Sequence, residues 1–185
     1  MIKNNELFIS IKDNLRLTPN LLLITTPMLV LGSLCLYWLI TDFTWLKLAY
    51  FAAGYFFFNI IGITAGFHRY FSHKSFKVTK WKERLMMIAG TLAAQGPLIY
   101  WVALHRGYHH RHADGEQDPH SPVHGIIHSF VLWMYRLSPT AIGMKTSVDL
   151  LRNKEAMFVS KHYVQLVLCF WLLTAAINIE FFYLL

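Results

Sequence analysis

Apolar residues in this chain are gathered into long blocks and do not recur at every third or fourth position. The first block, Leu21–Ile40 (LLLITTPMLVLGSLCLYWLI), runs twenty residues without a charge. As a helix it would reach across about 30 Å, the depth of a bilayer's hydrocarbon core. Pro27 inside it predicts a kink that neighbouring helices accommodate. Residues 41–44 read as a turn, and a second block, Trp45–Phe67, follows. Trp38, Trp45 and Tyr50 fall where aromatic side chains sit at membrane interfaces, so the two blocks predict a helical hairpin. A third block, Leu85–Leu104, is long enough to cross but carries Gln95-Gly96-Pro97 in its middle, a polar group joined to a helix break. It reads as a pair of half-buried or interfacial helices that stay on one face. Residues 125–137 predict a shorter amphipathic helix and 138–161 are polar and basic. The last block, Tyr163–Leu185, is long enough to span, with Asn178 and Glu180 towards its far end. The pattern predicts an all-α integral membrane protein: three transmembrane helices plus interfacial helices in a single domain, 1–185.

Charge sharpens this picture. A net charge of +7 would point to nucleic acid in a soluble protein, but here Lys and Arg flank apolar blocks, six of them between Arg69 and Arg84. Retention of basic residues on the cytoplasmic side explains that placement, with the bilayer as partner and no nucleic acid. Residues 1–20 and 68–161 are then cytoplasmic, and residues 41–44 and the C-terminal end lie outside. Residues 1–20 do not have the form of a cleaved secretory signal, so a multi-pass protein with a cytoplasmic N-terminus is expected. The two cysteines, Cys35 and Cys169, fall inside apolar blocks and read as small buried hydrophobes.

The chemistry is concentrated in two clusters at block ends. His105–His120 (HRGYHHRHADGEQDPH) holds five histidines and three acidic residues in sixteen positions, and His68-Arg-Tyr-Phe-Ser-His73 precedes it. Neutral imidazole suits iron, copper, nickel or zinc, and nearby carboxylates are its usual outer partners. His105 and His109, four apart, lie about 40° from one another around an α-helix and could share one ion. His110 is rotated about 100° further, so this adjacent pair suits two different ions. Asp114 and Asp118 could accept the second ring N–H of these histidines. Arg106 and Arg111 cannot be ligands and would meet carboxylates or anionic head groups. His68 and His73, five apart, are separated by about 140°, and converge only if the helix ends between them or each takes its own ion. His124 and His128 have ligand spacing, whereas His112, His120 and His162 have no partner at such spacing; all five read as polar surface residues. Because both clusters must lie on one bilayer face to form one site, the block between them cannot cross.

These residues resemble the histidine boxes of membrane-bound fatty-acid desaturases, in particular the acyl-CoA delta-9 (stearoyl-CoA desaturase-like) branch. His68–His73 followed by Lys-Ser-Phe resembles the first box, HxxxxH. Trp101 through His105 and His109-His110, then Asp118-Pro119-His120-Ser121-Pro122, resembles the second box with its downstream Asp-Pro-His. The order of hairpin, box, non-crossing segment and box also matches, over most of residues 20–185. Two departures stand out. Three residues separate His105 from His109 where that branch has two, with Tyr108 standing where a histidine would fall; the wider superfamily is similar in allowing either. Nothing after His128 matches the third box, HxxHH, so the domain is expected to be truncated, without its third box and fourth transmembrane helix. The resemblance implies a desaturase that uses two iron ions and molecular oxygen, with His68, His73, His105, His109 and His110 as metal ligands. It implies Gln95 and Trp101 along the acyl tunnel, a fatty acyl-CoA or acyl-lipid substrate, and an external electron donor of ferredoxin or cytochrome-b type. Five ligands fall short of the four or five that each iron needs, so these 185 residues are expected to be inactive. The alternatives are a related di-iron hydroxylase or ketolase, or a non-enzymatic haem- or metal-binding membrane protein. The haem reading requires histidines facing each other across transmembrane helices, and these lie outside the apolar blocks.

Overall fold

The computed structural model describes Phe8, Ser10, residues 25–138 and residues 141–177. Among the described residues the architecture is helical, with no strand beyond an isolated bridge between Phe8 and Leu137. Helix α1 (Thr26–Thr41) carries Pro27 near the start of its described part. Thr25 before it is already in helical backbone (φ −66°, ψ −44°), and residues 21–24 of the expected block, on which a kink at Pro27 depends, lie outside the described residues. Asp42–Thr44 turn the chain. The Thr44 hydroxyl accepts the Lys47 N–H (3.2 Å) and caps α2. Lys47 folds back to pair with Asp42 and lies 3.9 Å from the Trp38 ring, closing the hairpin tip on itself.

Helix α2 (Trp45–Ser72) is 28 residues long and, among the described residues, is the one single helix long and apolar enough to cross a membrane. Only 17% of its apolar window is buried, unlike the central helix of a soluble core. The other two expected crossings are shorter or bent within the described residues. α1 has 16 residues, and α7 (Lys154–Lys161) passes the length test only together with α8 (Tyr163–Ile177), to which it is bent by 66°. Residues 178–185 of the last block lie outside the described residues. Cys35 is buried, whereas Cys169 is on an exposed face of α8, contrary to its reading as a buried hydrophobe; both are free thiols.

The third block breaks where the sequence expects. α3 (Lys80–Leu92) ends, Ala94 and Gly96 adopt left-handed backbone (φ 59° and 107°), and Pro97 leads into α4. The N–H groups freed by the break find partners on α7 and α8. Gly96 N–H donates to the Tyr163 hydroxyl (3.1 Å) and Ile99 N–H to the Ser160 hydroxyl (3.1 Å). Helix α4 starts as Leu98–Leu104, widens into a π-helical turn at His105–His109 and ends with His110–His112. A loop with a 3₁₀ turn at Pro122–His124 leads to α5 (His128–Leu132 and Trp133–Arg136). A second 3₁₀ turn, Met144–Ser147, precedes α6 (Val148–Leu151), α7 and α8.

Phe67, Met87, Leu98 and Val102 are fully buried where α2, α3 and α4 meet, with Leu150, Ala156 and Val159 of α6 and α7 closing the same core. The α2–α3 contact is the most extensive and depends on two glycines facing each other. A Cβ on Gly62 would stand 2.5 Å from the Ala89 and Gly90 backbone, and one on Gly90 would strike the Phe67 ring and the Gly62 carbonyl. Small residues let helix backbones approach this closely. Gly62→Ala should therefore destabilise the fold by about 1–3 kcal/mol through overpacking. Gly32→Ala on α1, where nothing lies within 4 Å, should be neutral or stabilising. Thermal unfolding of the two variants in detergent checks this; equal midpoints would contradict the close approach.

Candidate metal centre

The site forms where the C-terminal end of α2 meets the end of α4. On an α-helix His68 and His73 diverge, but α2 is wound as a π-helix from Phe56 to Ser72. Its final turn is closed by the His73 N–H donating to the His68 carbonyl five residues back (3.0 Å). Five-residue spacing then places side chains one above the other, and the two Nε2 atoms stand 2.8 Å apart. The second cluster repeats the device, with the His110 N–H donating to the His105 carbonyl across the π-turn.

The winding corrects the expected pairing. Spacing at 3.6 residues per turn lets His105 share an ion with His109 and turns His110 towards another. Instead His68, His73, His105 and His110 form one group whose ligand nitrogens all lie within 4.8 Å of one another, and His109 belongs with Asp118 and His120 in a second. Adjacent imidazoles do serve separate groups, with the roles of His109 and His110 exchanged by the wider turn. The same turn absorbs the extra residue between His105 and His109. One more residue per turn moves the pair back over His105, and Tyr108 sends its hydroxyl to the Ala141 carbonyl.

In the first group the ring centroids of His73 and His110 are 4.1 Å apart, and those of His105 and His110 are 4.4 Å apart. Trp101 stacks on His105 (4.9 Å, 29°) and meets Phe67 edge-on at 5.9 Å, so an aromatic wall covers the inner side of the group. Burial, reinforced by the neighbouring imidazoles, pushes His105 down to about 3, and both effects also lower His110. His105 is thus neutral at neutral pH and need not lose a proton to coordinate. Its Nε2 is buried with no hydrogen-bond partner, which a metal ion would supply. A set of four imidazoles with one orphaned nitrogen fits a borderline transition metal such as iron.

Asp118, fully buried, organises the second group. One carboxylate oxygen accepts His109 Nδ1–H (2.8 Å) and the Asp114 N–H (3.3 Å); the other accepts the His120 N–H (3.3 Å) and lies 3.6 Å from His120 Nδ1. Asp114, expected as a second acceptor for ring N–H, contributes its backbone N–H instead. His120 was read as surface and is not: its ring lies 4.5 Å from His109 and 5.4 Å from Trp133, and burial lowers its pKa despite Asp118. No spacing rule reaches His120, because a loop and not a helix carries it back; the buried Asp118 two residues before it was the available signal. His124 and His128 join neither group. Their Nε2–H groups donate to the Glu116 and Pro119 carbonyls, at 3.0 Å each. His162 packs on Phe158. Gln95 lies exposed at the helix break and donates to Asn59 (3.3 Å), while Trp101 touches the first group. Arg106 meets a carboxylate, Asp149, and Arg111 is exposed.

No protein-family model matches the chain. Its homologues among curated proteins are acyl-lipid desaturases, an oxidoreductase class acting in lipid metabolism. The chain is 51% identical over 75 residues to Delta-9 acyl-lipid desaturase 2 of Arabidopsis thaliana, covering 40% of this chain and 24% of that protein. It is 34% identical over 125 residues to the sn-1 stearoyl-lipid 9-desaturase of Anabaena variabilis (67% and 46%), and 35% identical over 135 residues to the sn-2 palmitoyl-lipid 9-desaturase of a Nostoc species (71% and 47%). The chain spans less than half the length of each of these relatives.

If the two groups hold metal, His105→Ala or His110→Ala should lower the iron affinity of the purified protein by roughly tenfold or more, at least the cost of losing an outer-sphere partner. His162→Ala should leave it unchanged. Metal analysis after dialysis against graded iron checks this, and equal losses in all three variants would refute the grouping.

Proposed function

We propose that these residues form the first two histidine clusters of a membrane-bound fatty-acyl desaturase that introduces a double bond into an acyl chain carried on a lipid. The observation that carries the reading is the convergence of His68, His73, His105 and His110, from two segments thirty residues apart, in a chain whose homologues are named acyl-lipid desaturases. Those names favour a glycerolipid carrier over acyl-CoA. The whole protein's activity is what is proposed, with two iron ions, oxygen as co-substrate and an external ferredoxin- or cytochrome-b-type electron donor. Bound iron, with oxygen and electrons, supplies an oxidant strong enough for an unactivated C–H bond. The chain's own residues do the rest. His68, His73, His105 and His110 hold one ion, and His109, oriented by Asp118, faces a second with His120 beside it. Trp101 and Phe67 keep water from the inner side, and Trp101 with Gln95 is proposed to face the acyl chain.

Membrane topology follows the same reading. The outward residues of α1 and α2, among them Leu34, Leu36, Ile40, Trp45, Leu46 and Phe56, are exposed and apolar, as lipid-facing positions are. The clusters sit at the basic, cytoplasmic end of α2, and the protein is proposed to be multi-pass. Cysteines placed at Ser75 and Glu116, with Cys35 and Cys169 replaced, should label from the same side of intact membranes; labelling from opposite sides would refute a shared site.

Purified protein is expected to carry iron without the intense Soret band of haem; a Soret band would favour the haem-binding alternative. The two groups offer four and three donors, fewer than two ions need at four or five each. The 185 residues expressed in a desaturase-deficient host should therefore leave its fatty acids saturated. Restored unsaturation would show that the donor set is sufficient.

A further inference from the structure

Arg106 stands on α4 between two proposed ligands, His105 and His109, and sends its guanidinium to the other cluster. Its Nε–H donates to the Ser72 carbonyl (3.0 Å) and one terminal nitrogen to the Phe71 carbonyl, the last two residues before His73. The other terminal nitrogen donates to the Thr146 carbonyl (2.6 Å) and to Asp149 Oδ1 (2.8 Å), and the first also reaches Asp149 Oδ2 (3.1 Å). These five contacts match the five N–H donors of a guanidinium. The side chain is only 13% exposed, so the contacts are shielded from competing water. Lys74, next to His73, pairs with the same carboxylate at 3.0 Å.

We propose that Arg106 is a positioning residue that fixes the first histidine cluster against the second. The last carbonyls of α2 have no partner within their own helix, and a cation there also answers the negative end of the helix dipole. Arg106 supplies both from the helix that carries His105, His109 and His110, so a shift of α2 along α4 breaks two carbonyl contacts at once. Asp149 holds the far edge of the guanidinium and, through Lys74, the residue after His73. Lysine cannot replace this fork, because its three donors radiate from one point. Ligands from separate helices must be held to about half an ångström to form one centre, which makes the clamp matter to metal binding as well as to packing.

The inference rests on the two clusters being one metal centre, and its test reads the clamp and the centre separately. Full-length wild type, Arg106→Lys and Asp149→Asn are purified in detergent. Hydrogen exchange over residues 70–75 reads the clamp, and cobalt(II) titration with its absorption spectrum reads the centre. Arg106→Lys should exchange at least severalfold faster over 70–75, with exchange over 80–92 and helical circular dichroism unchanged. It should also bind cobalt roughly tenfold more weakly, with an altered spectrum. Wild-type exchange over 70–75, or wild-type cobalt affinity with faster exchange, overturns the positioning role. If Arg106→Lys loses its helical signal, Asp149→Asn decides, since it releases the guanidinium edge and Lys74 while leaving Arg106 in place: faster exchange over 70–75 and weaker cobalt binding with intact helices support the role, and faster exchange with wild-type affinity overturns it. Cobalt failing to bind wild type while Arg106→Lys still loosens residues 70–75 refutes the metal reading and leaves the clamp as packing alone.

Discussion

A backbone hydrogen bond from one residue to the fifth before it sets the geometry on which this molecule's candidate chemistry depends. Where it closes the two clusters, His73 to His68 and His110 to His105, the bonded residues are the histidines that converge. A π-turn is less favourable than an α-turn and persists where the surroundings determine it; such turns concentrate at functional sites. Here the surroundings are identifiable. Phe67 and Phe71 anchor the end of α2 in the core, Ser72 donates to the Phe67 carbonyl (2.7 Å), and Arg106 takes up the carbonyls that the turn leaves over.

The same end of the molecule must gather cationic and cation-forming groups without driving them apart. Burial does part of this by lowering the pKa of His105 and His110, with the neighbouring imidazoles adding to the effect. Carboxylates do the rest at its edges. Asp118 lies under His109 and His120, and Asp149 lies between Arg106 and Lys74. Further out, Arg84 pairs with Glu155 (2.8 Å) and so ties α3 to α7. Hydrogen bonds from Arg106 and Lys74 outweigh the cost of burying Asp149 and hold its carboxyl down to about 2. That carboxylate remains charged, and its pairing intact, well below neutral pH. At the opposite end the Lys47–Asp42 pair closes the hairpin tip, and α1 and the first half of α2 expose apolar side chains to their surroundings.

What could be read from the sequence follows the scale of each signal. Long apolar blocks and the Gln95-Gly96-Pro97 break announce helices and their interruption through composition alone, and the helices appear there. The clusters too are visible as clusters. Their internal pairing was not, because reasoning at 3.6 residues per turn assigns His109 to His105 and separates His68 from His73; a wider turn reverses both. His120 was hidden for another reason. Its approach depends on Ala113–Pro119 folding back over His109, with Asp114 in left-handed backbone (φ 59°) and Asp118 buried beneath, and loop closure of that kind leaves no periodic trace. Arg106 reads as an ion-pair former, which it is, but that all five of its contacts lie on segments distant in sequence could only come from the fold.

The adjacency of His109 and His110 has one more consequence. Because the adjacent His109 and His110 on one turn feed different groups, the two groups are coupled through α4. The geometry is therefore held from both sides, by Arg106 on the face towards α2 and by Asp118 on the face towards the loop. In this chain the spacing of the two histidine groups is set within one helical turn and held by one guanidinium and one buried carboxylate.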